Sequence, residues 1–166
     1  MSPASAAESA RIARILDAAE AAFPEPRCAL DFRTPFELLV ATVLSAQSTD
    51  VRVNLVTPAL FARYPDAAEM SLATPDALVP YIRTVGLFNN KARALVGLSQ
   101  RLVESHGGEV PTSLEALVAL PGVARKTANV VLQNAFGRNE GFVVDTHVAR
   151  LAGRLGLADA RTPEAI

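Results

Sequence analysis

Apolar side chains recur along this 166-residue chain at the three- and four-residue spacing of an α-helix. These stripes lie in residues 12–23, 36–44, 53–61, 92–103, 114–120, 128–135 and 148–155. No segment shows the sustained alternation of apolar and polar positions that is typical of a strand. The pattern therefore predicts an all-α protein of roughly eight short helices.

Capping residues, prolines and glycines predict where these helices begin and end. Residues 5–8 have the spacing of a capping box before a first helix that runs to about Ala22. Thr34, followed by a proline and then by a glutamate three residues on, predicts the start of the next helix. Pro58 is expected to kink or shorten its helix, and residues 85–91, with a glycine and paired asparagines, are predicted to form a loop.

A tight turn between two helical stripes is the most informative stretch of the chain. Residues 120–127 read Leu-Pro-Gly-Val-Ala-Arg-Lys-Thr. Pro121 cannot extend the first helix, and Gly122 accepts a positive φ without steric cost, so the second helix is predicted to start near Ala124. The amides of the turn and of the first helical turn then form a cluster of donors at a positive helix end, which suits a phosphate.

Composition narrows the class of protein. Half of the residues are hydrophobic, only 5% are aromatic, and no apolar run is long enough to cross a membrane. With no secretory signal at the N-terminus, these features predict a soluble helical protein of the cytoplasm. The single cysteine, Cys28, excludes an internal disulfide and a cysteine-rich metal site, so no metal is assigned to this chain.

The charges are unevenly distributed although the formal net charge is only -1. Residues 83–154, which include the turn, hold nine Lys and Arg against five Asp and Glu. This asymmetry favours a surface in that half of the chain that faces DNA. Helical faces exposed to solvent are the alternative explanation of the same charge difference.

The turn resembles the helix-hairpin-helix of DNA repair glycosylases, and most closely that of endonuclease III. The hairpin of that family usually reads Leu-Pro-Gly-Val-Gly, and Ala124 stands here in place of the second glycine. The resemblance implies a multi-helix DNA glycosylase fold with the helix-hairpin-helix at about residues 113–136. It also implies DNA contacts at the hairpin residues and the helix that follows, namely Gly122, Val123, Ala124, Arg125 and Thr127.

The same resemblance implies a catalytic pair. In the family, the lysine at the position of Lys126 attacks C1′ of the damaged nucleotide, expels the base and holds the sugar as a Schiff base. The Asp of a Val-Asp-Thr-His stretch, here Asp145, helps to activate that lysine and stabilises positive charge on the sugar. The alternatives for these residues are a solvated surface lysine and a helix N-cap, and the cap is compatible with catalysis.

Two further segments look like the family loops that enter DNA. Gln47 corresponds to the glutamine that fills the space left by a flipped base, and Leu87 to the leucine that wedges the opposite strand. Lys91 is expected to contact phosphates or water. Without the family context, Gln47 is a solvated helix end and Leu87 a core anchor.

The resemblance also implies the domain organisation and the cofactor of the family. Residues 1–33 and 140–166 are expected to belong to a second, discontinuous domain, and residues 34–139 to a helical domain. The family carries a [4Fe-4S] cluster on a four-cysteine loop, which this chain would possess only if it continues past Ile166. The chain is thus expected to be a fragment or a shortened relative. As isolated, it is expected to be poorly soluble or partly disordered around Asp145, to contain no iron and to show weak or no lyase activity.

The function implied is a base excision repair N-glycosylase with abasic-site lyase activity on oxidised pyrimidines. Its expected partner is duplex DNA with a damaged base or an abasic site, and it is expected to act as a monomer, without a membrane, in bacterial nucleoid-associated repair. Two alternatives are a non-catalytic helix-hairpin-helix DNA-binding module and an inactive truncated glycosylase.

Overall fold

The structure is a computed structural model that describes residues 3–140 and 143–158. All regular secondary structure within these ranges is helical, which confirms the predicted all-α class. The nine helices described are α1 (Pro3–Ala22), α2 (Pro35–Ser45), α3 (Asp50–Arg63), α4 (Ala67–Ser71), α5 (Pro75–Ile82), α6 (Phe88–His106), α7 (Leu114–Val118), α8 (Arg125–Phe136) and α9 (Thr146–Arg154).

The chain divides into two compact units. The residues up to Cys28 and those from Val144 onward form one unit, which contains α1 and α9. Residues Ala29–Val143 form the other unit, which contains α2 to α8. The first unit is therefore assembled from segments at opposite ends of the sequence.

Arg11 of α1 binds the C-terminal end of α9 within the first unit. Its guanidinium donates to the carbonyl oxygens of Leu155 at 2.6 Å and Gly156 at 2.8 Å. A side-chain hydrogen bond from Arg11 also lowers the pKa of Glu8. The last carbonyls of a helix have no partner inside the helix, so a cation at this position stabilises the end of α9.

Helix α2 forms the centre of the second unit. Every residue from Phe36 to Leu44 is buried, because α2 packs against α3, α6 and α8. Its two buried polar residues are paired, since Glu37 accepts from the Arg33 guanidinium at 2.8 Å and the Thr42 hydroxyl donates to the Leu38 carbonyl at 2.7 Å. Its start follows the sequence prediction, with Pro35 in the first turn and the hydroxyl of Thr34 accepting from the Glu37 amide at 3.1 Å.

The structure corrects three predicted helix boundaries. Helix α1 already includes Pro3, ahead of the expected capping box at residues 5–8. Helix α3 continues through Pro58, because buried side chains on the face around Leu60 offset the one hydrogen bond that a proline removes. Helix α6 begins at Phe88, so the loop predicted for residues 85–91 is shorter and Lys91 lies in the first turn of a helix.

Candidate DNA interface

The hairpin between α7 and α8 is pressed against α6. Gly122 takes a φ of +75°, and a Cβ added there would lie only 2.8 Å from the Ala94 Cβ. On the same helix, a Cβ added at Gly97 would lie 3.5 Å from the Pro121 ring. The turn therefore requires glycine at position 122 for two reasons, its backbone conformation and its contact with α6.

The N-terminus of α8 has no side-chain cap. Ala124 occupies the N-cap position in an extended conformation, and its methyl group offers no acceptor to the first-turn amides. The N-terminal amides of six other described helices receive a side-chain oxygen, from Thr34, Thr49, Asp66, Thr74, Ser113 and Asp145. An uncapped helix N-terminus beside a turn combines amide donors with the positive end of the helix dipole, which suits an anion.

The two lysines of the chain differ in solvent exposure. Lys126 lies in the first turn of α8 with an exposed side chain. Lys91 is 5% exposed, and its Nζ donates to the Leu44 carbonyl at 2.8 Å and to the Ser48 hydroxyl at 3.1 Å. Burial lowers the pKa of Lys91. An ammonium that is enclosed in this way does not reach a phosphate, so the phosphate contact predicted for Lys91 does not fit the structure.

Gln47 and Leu87 share an unusual backbone conformation. They are the two non-glycine residues of the described chain with positive φ, at 55° and 57°, and both side chains are exposed. This conformation is costly for residues with a Cβ and often marks a functional site. The loops that carry them touch, because Ser48 Oγ accepts from the Gly86 amide at 3.0 Å.

The hydrogen bond between Ser48 and Gly86, which joins the two loops, was not predicted from the sequence. A Cβ added at Gly86 would lie 3.0 Å from the Gln47 carbonyl oxygen, so the backbones of the two loops approach closely. A glycine before the exposed Leu87 was the available signal, since glycine is common where two backbones come near.

Asp145 caps α9 in the other compact unit. Its Oδ1 accepts from the amides of His147 and Val148, both at 2.9 Å. The predicted cap is therefore observed, and the carboxylate is only partly exposed. Its catalytic role remains a prediction, as does the role of Lys126, and the two residues belong to different units.

The residues present do not fit an iron–sulfur cluster. Such a cluster needs four thiolates, and Cys28 is the single cysteine of the sequence. In the described part of the chain, no helix combines the length and the apolar character needed to cross a membrane.

Comparisons with known proteins agree on one family. The profile of the HhH-GPD superfamily of base excision DNA repair proteins matches residues 40–166. The chain is 51% identical to endonuclease III of Synechocystis over 158 residues, which are 95% of this chain and 72% of that protein. It is 45% identical to endonuclease III of Escherichia coli K12, over 86% of this chain and 67% of that protein.

Solved structures give the same result. A non-covalent endonuclease III–DNA complex matches with a TM-score of 0.85 and 44% identity, over 91% of this chain and 71% of that one. A trapped endonuclease III–DNA covalent intermediate matches with the same TM-score, identity and coverage. A thermostable thymine-DNA glycosylase matches with a TM-score of 0.70 and 25% identity, over 77% of this chain and 58% of that one. The chain therefore belongs to the HhH-GPD superfamily of base excision DNA repair proteins and, within it, to the endonuclease III family.

Proposed function

We propose that this protein is a bifunctional DNA glycosylase and abasic-site lyase that removes oxidised pyrimidines from duplex DNA. The observation that carries this proposal is the position of Lys126, the exposed one of only two lysines, in the first turn of α8 directly after the hairpin. The similarity to a trapped endonuclease III–DNA covalent intermediate supports a covalent reaction on DNA.

The hairpin and the start of α8 anchor the phosphate backbone. Amides at the start of α8 meet a phosphate at the uncapped end of the helix, and the guanidinium of Arg125 adds a positive charge. The Val123 amide is not one of these donors, because it donates to the Leu120 carbonyl within the turn at 3.2 Å. Because main-chain amides supply most of these donors, the affinity for DNA depends little on any single side chain. Gln47 and Leu87 enter the duplex, one in place of the extruded base and the other as a wedge.

Lys126 is the nucleophile. Its Nζ, after losing a proton, attacks C1′, and the glycosidic bond breaks as its electron pair leaves with the base. Nζ, now a secondary ammonium bonded to C1′, releases one proton, and the departing base takes up a proton. The C1′–O4′ bond then opens, O4′ gains a proton, and Nζ and C1′ form a Schiff base. Loss of a C2′ proton expels the 3′ phosphate oxygen with the C3′–O bond pair, which cuts the strand.

Asp145 stabilises the positive charge that develops on the sugar. Its two amide hydrogen bonds hold the carboxylate in one orientation, which removes the cost of reorganising it during the reaction. We further propose that the protein acts as a monomer. The bacterial nucleoid is its proposed place of action, because the proposed substrate is chromosomal DNA and the similar proteins named above are bacterial.

Borohydride trapping on a duplex with one abasic site tests the proposal. Borohydride reduces the Schiff base to a stable secondary amine, so the wild-type chain is expected to become linked to DNA. With only two lysines in the sequence, peptide mapping of the adduct identifies the linked residue. We expect the adduct on Lys126, and we expect Lys126→Gln to bind the abasic duplex without being trapped.

Arg125→Gln is the matched control, since it removes the same charge one residue earlier. It is expected to bind DNA only slightly more weakly than the wild type and still be trapped. Trapping of Lys126→Gln at the wild-type rate would show that another amine is the nucleophile. DNA binding by the wild type without any trapping would instead support a non-catalytic helix-hairpin-helix module.

A further inference from the structure

The loops of Gln47 and Leu87 are joined by a buried lysine. Lys91 stands in the first turn of α6, just after Leu87, and its Nζ reaches across to the Leu44 carbonyl and the Ser48 hydroxyl. The hydroxyl of Ser48 accepts a second hydrogen bond, from the amide of Gly86. The contacts thus involve residues on both sides of each exposed side chain: Leu44 and Ser48 lie on either side of Gln47, and Gly86 and Lys91 on either side of Leu87.

The Leu44 carbonyl shows why a cation is needed at this point. It belongs to the last turn of α2. If the helix continued, this carbonyl would accept from the Ser48 amide, but that amide donates to the Ser45 carbonyl at 3.0 Å instead. Lys91 supplies the donor that the end of α2 lacks, at the negative end of the helix dipole. An apolar side chain of the same length would fill the space but would leave the Leu44 carbonyl without this donor, and the Ser48 hydroxyl with only the hydrogen bond from the Gly86 amide.

The backbone conformations indicate what the connection maintains. Gln47 and Leu87 keep positive φ values that their own side chains disfavour, and such conformations persist only where neighbouring contacts impose them. A Cβ at position 86 would lie 3.0 Å from the Gln47 carbonyl oxygen, so the absence of a side chain at Gly86 lets the two loop backbones pack closely. The connection therefore joins the backbones that carry both exposed side chains.

We propose that Lys91 is a positioning residue that joins the two loops through Ser48 and Gly86, so that Gln47 and Leu87 enter the duplex as one rigid unit. This inference rests on the proposed function, because it concerns the step in which the damaged base is extruded. Lys91 itself contacts neither the base nor the phosphate. Its loss uncouples the two loops, and base extrusion then requires each of them to be ordered separately.

The experiment compares Lys91→Met and Ser48→Ala with the wild type. Arg101→Met is the control, because it makes the same replacement of a cation on the same helix at an exposed position. Single-turnover base excision from a duplex with a paired oxidised pyrimidine reports extrusion and chemistry together. Borohydride trapping on an abasic duplex reports chemistry on a site that has no base to extrude.

We expect Lys91→Met and Ser48→Ala to slow excision about tenfold or more and to slow trapping less than about threefold, with Arg101→Met near wild type. A general loss of structure would lower both rates together, so the split between them is specific to positioning. Equal loss of the two rates, or no loss of excision in either variant, would overturn the proposal.

Hydrogen exchange at the Gly86 amide separates this inference from the proposed function. That amide donates to Ser48 Oγ in the wild type, and its protection is expected to fall in Ser48→Ala and in Lys91→Met but not in Arg101→Met. Unchanged protection in both variants would refute the connection even in an active enzyme. If the variants lose this protection but the wild type never traps DNA, the connection between the loops is supported and the proposed enzymatic function is refuted.

Discussion

Replacing Gly122 with alanine tests the contact between the hairpin and α6. The substitution places a side chain at a φ of +75°, which costs about 1–2 kcal/mol for an L-residue. It also brings the new Cβ to 2.8 Å from the Ala94 Cβ. Because that carbon is attached directly to the α6 backbone and has no rotamer to change, the overlap adds about 1–3 kcal/mol.

Gly107→Ala isolates the first of these two costs. Gly107 has a φ of +62° at the end of α6, and a Cβ there would have no neighbour within 4 Å. The difference in unfolding free energy between the two variants is therefore expected to equal the overlap alone, about 1–3 kcal/mol. Adding Ala94→Gly to Gly122→Ala removes the facing carbon and should recover most of that difference in a double-mutant cycle.

Urea denaturation gives the unfolding free energies, and fluorescence anisotropy with an abasic duplex gives the DNA affinity. Gly122→Ala is expected to weaken DNA binding as well, because a displaced turn moves the amides that meet the phosphate, whereas Gly107→Ala is expected to bind normally. Equal destabilisation by the two substitutions would refute the argument that α6 restricts position 122. So would a double-mutant cycle without favourable coupling, that is, a Gly122→Ala substitution that costs as much in the Ala94→Gly background as in the wild type.

Three further predictions follow from the structure. Ala124→Gly should leave DNA affinity unchanged or slightly raised in the anisotropy assay, because Ala124 lies at an extended N-cap where glycine is preferred to alanine; a large loss of affinity would contradict this position. Asp145→Asn should keep the thermal stability of α9, since the amide oxygen still caps it, and yet slow base excision strongly, whereas Asp145→Ala should also lose about 1 kcal/mol. Burial lowers the pKa of Lys91 below its ordinary 10.5, so the unfolded chain binds more protons between the two values. The unfolding free energy of the wild type relative to Lys91→Met, measured in urea, should therefore rise as the pH increases toward 10.5, and a fall over that range would contradict the burial of a charged amine.

Local signals were sufficient for the helical class and for much of the hairpin. The cap at Thr34, the cap at Asp145 and the positive φ of Gly122 were all predicted from residues within one helical turn of each position. Such features depend on the nearest backbone amides and on the steric freedom of one residue, which the sequence specifies directly. The position of Lys126 in the first turn of α8 follows from the same local reasoning.

The environment of Lys91 was decided by tertiary packing. The sequence placed it after two asparagines in a predicted loop that resembles a family loop, and a contact with phosphates or water was expected for it. In the structure its partner Leu44 lies 47 positions away, and only the packing of α2 beside α6 brings the two together. No periodicity or motif encodes a pairing at that distance, because it depends on which helix faces meet and not on the residues next to Lys91. The sequence by itself therefore determined the helices, their caps and the hairpin, while the fold alone decided which of the two lysines is buried beneath the loops and which stands at the surface.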